Sequence, residues 1–147
     1  MKNYALEIYR QMIVSLKRGN RNGVVSNAKP VFLLSLIECV PFLRENLISV
    51  DNLTLKDFYN TNIQHFAPEC KVPLAMPYFH LNTCPFYRII WKDESKQIMQ
   101  AHSPSAKQLV QYIDGAKLDN ELWELLQEEE NRQYLRQCLI DYYFTDN

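Results

Sequence analysis

The chain has no apolar run long enough to cross a bilayer. Its longest, Val31 to Ile37, is broken by Ser35 and followed by Glu38, whereas a spanning helix needs about 20 predominantly apolar residues. No export signal is expected either, because Lys2, Glu7 and Arg10 interrupt the apolar positions at the start of the chain. Cys39, Cys70, Cys84 and Cys138 show no paired spacing, which argues for reduced thiols and against a disulfide framework or a zinc knuckle. Histidine is scarce: His65, His80 and His102 are all there is. No His-Asn-His or paired-cysteine arrangement for a catalytic metal is visible. His80 and Cys84 lie four positions apart but sit in a proline-rich stretch with no second ligand pair. The expectation is a cytoplasmic protein, away from membranes, with no metal and no cofactor.

What is there supports one core. At 147 residues and 47% hydrophobic, the chain is expected to form a single domain over residues 1–147. The net charge of −1 conceals an asymmetry. Residues 1–30 carry Lys2, Arg10, Lys17, Arg18, Arg21 and Lys29 against Glu7 alone, while residues 114–147 carry nine acids against Lys117, Arg132 and Arg136. A basic cluster at one end is a candidate phosphate-binding surface; its alternative is a solvated, solubilising face.

Periodicity predicts a helix over 4–16 with Ile8, Met12, Ile13 and Leu16 as its apolar stripe. The Arg18–Gly23 stretch, with two glycines and two asparagines, reads as an exposed turn carrying Lys17, Arg18 and Arg21 together. Ser26, Asn27 and Pro30 mark the start of a second helix, apolar nearly all round from Val31 to Val40 and therefore central to the core. Lys29 stands at its mouth, where the helix dipole disfavours a cation unless an anion is shared. Leu47 to Val50 is a strand candidate; Thr54 and Asp57 open a helix through Phe66 with Phe58, Ile63 and Phe66 inward. Phe86 to Trp91 reads as a strand, and Gln97 to Met99 is expected to pair back on Arg88 to Trp91 as a hairpin. Ser103-Pro104 caps a further helix ended by Gly115, and Asp119 caps the next. The expected core comprises Leu33, Leu34, Ile37, Phe58, Ile89, Trp91, Leu122, Leu125 and Leu139.

Pro73 to Trp91 holds three of the seven prolines and five aromatics, with His80 and Arg88 among them. Prolines stiffen such a segment, and aromatics beside His80 and Arg88 can stack on or hydrogen-bond a planar or anionic partner. The competing reading is that these rings plug a small core.

Three blocks carry a resemblance. Ala28-Lys29-Pro30-Val31-Phe32-Leu33-Leu34 resembles the His-Lys-Pro-Leu-Leu-Leu-Leu opening in the non-catalytic N-terminal part of a group of HNH restriction-type endonucleases. Met76-Pro77-Tyr78-Phe79-His80-Leu81 resembles their Tyr-Pro-Phe-Trp-Arg-Leu block. Leu118 to Leu126, with Arg132, Leu135-Arg136 and Leu139 to Phe144, resembles the helical segment that precedes their nuclease domain. In that family the N-terminal module is similar to the sulfur-binding domains that read phosphorothioate-modified DNA, and the HNH domain cuts. The resemblance implies a DNA-recognition module without the nuclease.

The expectation is thus an α+β fold, helix-rich with a small antiparallel β element, binding double-stranded DNA, modified DNA included, with no catalytic activity of its own. The resemblance and the charge pattern together nominate Lys17, Arg18, Arg21 and Lys29 for phosphate contacts. Tyr78, Phe79, His80 and Arg88 are nominated for stacking or hydrogen bonding, and Pro77 for an apolar pocket. Ala28, Met76, Phe79 and His80 depart from the family's His, Tyr, Trp and Arg, so weak discrimination among duplexes is expected. The rival is a protein-interaction module that docks a separately encoded nuclease or another partner through the acidic C-terminal helices. A hydrolase built on His80 and Asp93 lacks a visible nucleophile and base pair.

Overall fold

A computed structural model of the chain describes residues 4–21, 24–93 and 104–145. The fold is organised around α2 (Ala28–Cys39), ten of whose twelve residues are buried. An apolar surface on every side requires neighbours on every side. They are α3 (Leu53–Phe66), α4 (Ala75–His80) and α7 (Glu129–Tyr143), all packed against it. The polar exception, Ser35, donates to the Val31 carbonyl at 2.8 Å and accepts from Asn62 Nδ2 at 3.0 Å. It is thereby satisfied at zero exposure.

α1 (Tyr4–Ile13) turns Tyr9 and Ile13 inward, followed by Leu16, and leaves Ile8 53% exposed. Ile13 and Leu16 are thus buried as expected and Met12 half-buried, while Tyr9 takes the inward place expected for Ile8. The cause is Tyr9, whose hydroxyl reaches the Asp119 carboxylate at 3.0 Å. The helix also stops short of Leu16, whose N–H is taken by the Tyr143 hydroxyl at 3.1 Å. After it, β1 (Asn20–Arg21) and β2 (Val24–Val25) form an antiparallel hairpin where a bare turn was expected.

α3 is capped by Asn52, which accepts from the Leu55 N–H at 2.9 Å, upstream of the expected Thr54 and Asp57. Its inner face is Leu55, Tyr59, Asn62 and Ile63. Phe58 and Phe66 are half-buried, closing the edges against Phe42 and Phe144 at centroid distances of 5.9 and 5.1 Å. Of the expected core, Leu33, Leu34, Ile37, Ile89, Leu122 and Leu139 are buried, whereas Phe58, Trp91 and Leu125 are half-buried.

β3 (Tyr87–Trp91) pairs antiparallel with β4 (Ile113–Leu118), Tyr87 opposite Leu118 and Ile89 opposite Ala116. The expected partner, Gln97 to Met99, lies outside the described residues, as does Ser103. α5 (Ala106–Tyr112) begins instead at a capping box between Ser105 and Gln108. Gly115 does not end that helix but sits inside β4. Ile48 bridges to Ala116 there, with N–H to O distances of 2.9 Å both ways. A Cβ on Gly115 would fall 2.8 Å from the Ile48 carbonyl oxygen, so this is a glycine of close backbone approach, not of helix termination. That single bridge is what the 47–50 segment contributes in place of a strand. α6 (Asn120–Leu125) and α7 complete a helix-rich α+β fold with a small antiparallel sheet. Among the described residues no helix is long and apolar enough to cross a membrane.

Candidate functional site

α2 begins with Ala28, Lys29 and Pro30, and α4 contains Met76, Pro77 and His80. Proline is tolerated in α4 because Pro77 stands in its first turn, where the missing N–H has no carbonyl to serve. Beneath the two helices lies a cluster of three rings. Phe32 from α2 meets Tyr78 and Tyr87 edge-on at 6.0 Å each, and Tyr78 and Tyr87 meet at 6.4 Å. The Tyr78 hydroxyl donates to the Ile48 carbonyl at 2.7 Å, and the Tyr87 hydroxyl donates to the Tyr78 carbonyl. Burial pushes both phenols far above the ordinary tyrosine value, so they stay neutral donors.

Fixing α4 against α2 this way opens a groove of about 660 Å³ between them. Ala28 and Lys29 line it from α2, and Met76, Pro77 and His80 from α4. Arg18, Gly19 and Ser26 form part of the wall around the β1–β2 hairpin, and Lys71, Val72 and Pro73 another part. Ala28 and Pro77 are buried, so much of the lining is apolar, while Lys71 is exposed and Lys29, Arg18 and His80 are half-buried. No carboxylate lines the groove among the described residues.

Both loops that supply the walls are tied down from below. Tyr59 donates to the Val72 carbonyl at 2.8 Å, which holds the Lys71–Pro73 segment. Arg18 donates to Asn27 Oδ1 at 3.0 Å and lies 4.9 Å over the Tyr143 ring. The Tyr143 hydroxyl in turn donates to the Ile13 carbonyl at 2.8 Å while accepting from Leu16. Ser26 N–H donates to the Gly19 carbonyl at 2.7 Å, closing the hairpin base.

The electrostatics are one-sided. Lys29 is held below the ordinary lysine value by burial, which outweighs an opposing effect of Cys84 and is reinforced more weakly by Lys17. His80 is held below the ordinary histidine value by burial and by Lys29. Cationic groups that lower one another's proton affinity in a half-dehydrated groove are relieved by an anion.

Several nominated residues lie elsewhere. Tyr78 does not face the groove: its ring is fully buried in the three-ring cluster, because its hydroxyl finds a core carbonyl and its ring finds Phe32. The aromatics of the Pro73–Trp91 stretch chiefly plug the core here, as Phe86 and Tyr87 also do. Phe79 is half-buried with its ring on Trp91 at 6.3 Å and on His80 at 5.3 Å, which fixes the histidine from behind. Arg88 is exposed on β3 opposite Lys117 and does not line the groove. Lys17 is exposed and does not line the groove, and for Arg21 only the backbone, in β1, is described. Lys71 was missed from sequence; the available signal was its position two residues before Pro73, at the mouth of the proline-rich stretch. Among the described residues no group of three His, Cys, Asp or Glu side chains could hold a metal ion.

No family model matches the chain, and no curated protein matches it in sequence. The fold has a solved counterpart. It is similar to the sulfur-binding domain of ScoMcrA, solved in complex with phosphorothioated DNA, with a TM-score of 0.69 over 92% of this chain and 87% of that one. Identity between the two is 16%, so the likeness concerns the fold.

Proposed function

We propose that this chain is a DNA-binding module of a restriction-type system, that it binds duplex DNA with phosphorothioate-modified backbone included, and that it does no chemistry itself. The observation that carries this reading is the meeting of two sequence blocks, Ala28-Lys29-Pro30 and Met76 to His80, across one groove with a cationic rim and an apolar floor. The similarity in fold to a domain solved with phosphorothioated DNA supports it.

The chemistry fits a backbone ligand. Lys29, Lys71 and Arg18 supply charge to a phosphodiester, with Lys17 and Arg21 extending the track along the strand. A non-bridging sulfur is larger and less strongly hydrated than the oxygen it replaces, so it gains by contacting Ala28, Pro73, Met76 and Pro77. The α2 N-terminus adds its dipole to the same anion. With Ala28, Met76 and His80 on this surface, the preference for sulfur over oxygen is modest.

The test is a titration of plain, methylated and phosphorothioate duplexes at two salt concentrations. Affinity falls steeply with salt for all three, and the sulfur duplex binds most tightly. No binding to any duplex at low salt, with the fold shown intact, replaces this reading with protein docking.

A further inference from the structure

Arg18 belongs to two structures at once: it is part of the groove wall, and its guanidinium lies 4.9 Å over the Tyr143 ring. From that ring a series of aromatic contacts continues along the end of α7 and across to α3. Tyr143 meets Tyr142 at a centroid distance of 4.8 Å and Phe144 at 6.3 Å, and Phe144 meets Phe66 at 5.1 Å. None of these rings lines the groove, so the series starts at its wall and runs outside it. Packing accounts for Tyr143, Phe144 and Phe66, which are half-buried against the core. It does not account for Tyr142, which is 59% exposed. The Tyr143 hydroxyl, bonded to the Ile13 carbonyl and the Leu16 N–H, also ties the segment that bears Lys17 and Arg18 to the same end of α7. Lys17 is exposed there. The fold thus sets two cations beside an exposed ring, on a path that begins at the anion groove.

We propose that Tyr142 is a stacking site for an unpaired DNA base, so that the chain binds a duplex more tightly where a single-stranded segment adjoins the backbone seated in the groove. This inference rests on the DNA-backbone reading above. Cations beside aromatic surface suit a single strand, since the cations meet the phosphates and every unpaired base offers a flat face to a ring. A paired base has no use for the ring, because its faces are already covered by its neighbours in the helix. Lys17 and Arg18 carry the strand past the groove wall, and Tyr142 takes a base freed from pairing. Stacking is tolerant of base identity. The site therefore distinguishes an overhang or a gap from continuous duplex, which is a different property from the preference for sulfur in the groove.

The experiment titrates the full chain with a labelled blunt duplex and with the same duplex bearing a single-stranded extension of about four thymidines, carried by one strand or by the other. A third set carries abasic extensions of equal length, which keep the phosphates and omit the bases. At least one thymidine extension tightens binding about tenfold over the blunt duplex, and its abasic counterpart about twofold or less. Tyr142→Ala removes the difference between thymidine and abasic extensions and leaves the blunt duplex bound as before, whereas Tyr142→Trp keeps the difference. Thermal unfolding shows that both variants keep the fold. Equal affinity for thymidine and abasic extensions, or a thymidine gain that survives Tyr142→Ala, overturns the stacking site and leaves the DNA reading standing if the blunt duplex binds. Self-association that is lost in Tyr142→Ala, with binding of the extensions unchanged, assigns the ring to a second copy of the chain and overturns the proposal as well. No binding to any of these DNAs overturns both readings.

Discussion

Near the C-terminal end of α2, Glu38 accepts from Asn62 Nδ2 at 2.8 Å and from Arg136 Nε at 2.7 Å, while at its N-terminal end Lys29 forms no ion pair among the described residues. Both side chains are half-buried. At the first end α3 and α7 answer the charge, so the polar group joins three helices. At the other, the described neighbours are cations, the Cys84 thiol and apolar surface, and no described carboxylate lines the site. A half-buried charge with partners belongs to the scaffold; one without belongs to whatever binds. The sign of the cost follows. Lys29 holds its proton less tightly folded than unfolded. Its charge therefore opposes folding at all pH values below its folded-state value, and the penalty fades as pH rises toward the ordinary lysine value. A bound anion offsets it.

The comparison breaks most severely if the helix that carries both ends is loosened. Leu34 has zero exposure in the middle of α2, so Leu34→Ala costs about 2–5 kcal/mol of stability, read as a lowered urea midpoint, and reduces DNA binding with it. Next comes the scaffold end alone. Asn62→Ala removes the donor shared by Ser35 and Glu38 and costs about 1–3 kcal/mol, with affinity for duplex unchanged once the protein is folded.

Tyr143→Phe keeps a ring beneath Arg18 but strips the hydroxyl from Leu16 N–H and the Ile13 carbonyl. The expected loss is about 1–2 kcal/mol, together with weaker binding of every duplex, because the wall that bears Arg18 is no longer anchored. The smallest change in stability comes at the groove. Lys29→Ala shifts the unfolding free energy by no more than about 0.5 kcal/mol, yet lowers affinity for oxygen and sulfur duplexes alike and shallows the logarithmic salt slope by about 0.9. Arg88→Ala, away from the groove on β3, alters neither quantity; a loss of salt dependence there instead of at Lys29 reverses the assignment of the binding face.

By itself the sequence determined the backbone of this fold. A run apolar on nearly every side behind Ser26, Asn27 and Pro30 reads as a central helix, and the proline and lysine at its mouth already located one wall of the groove. The β3 strand and the Asp119 helix start were legible for the same reason: local propensity and burial agreed. What only tertiary structure decided was which way side chains face and which distant segments meet. Tyr78 is a core ring because Phe32, Tyr87 and the Ile48 carbonyl converge on it from three other segments. Gly115 is a strand residue because a backbone 67 positions upstream passes against it, as Ile48 pairs with Ala116. Lys71 joins Lys29 because Tyr59 pins the intervening segment to α3. Periodicity and capping are local and can be read along the chain, whereas a groove is made by helices that sequence order keeps apart and only packing brings together.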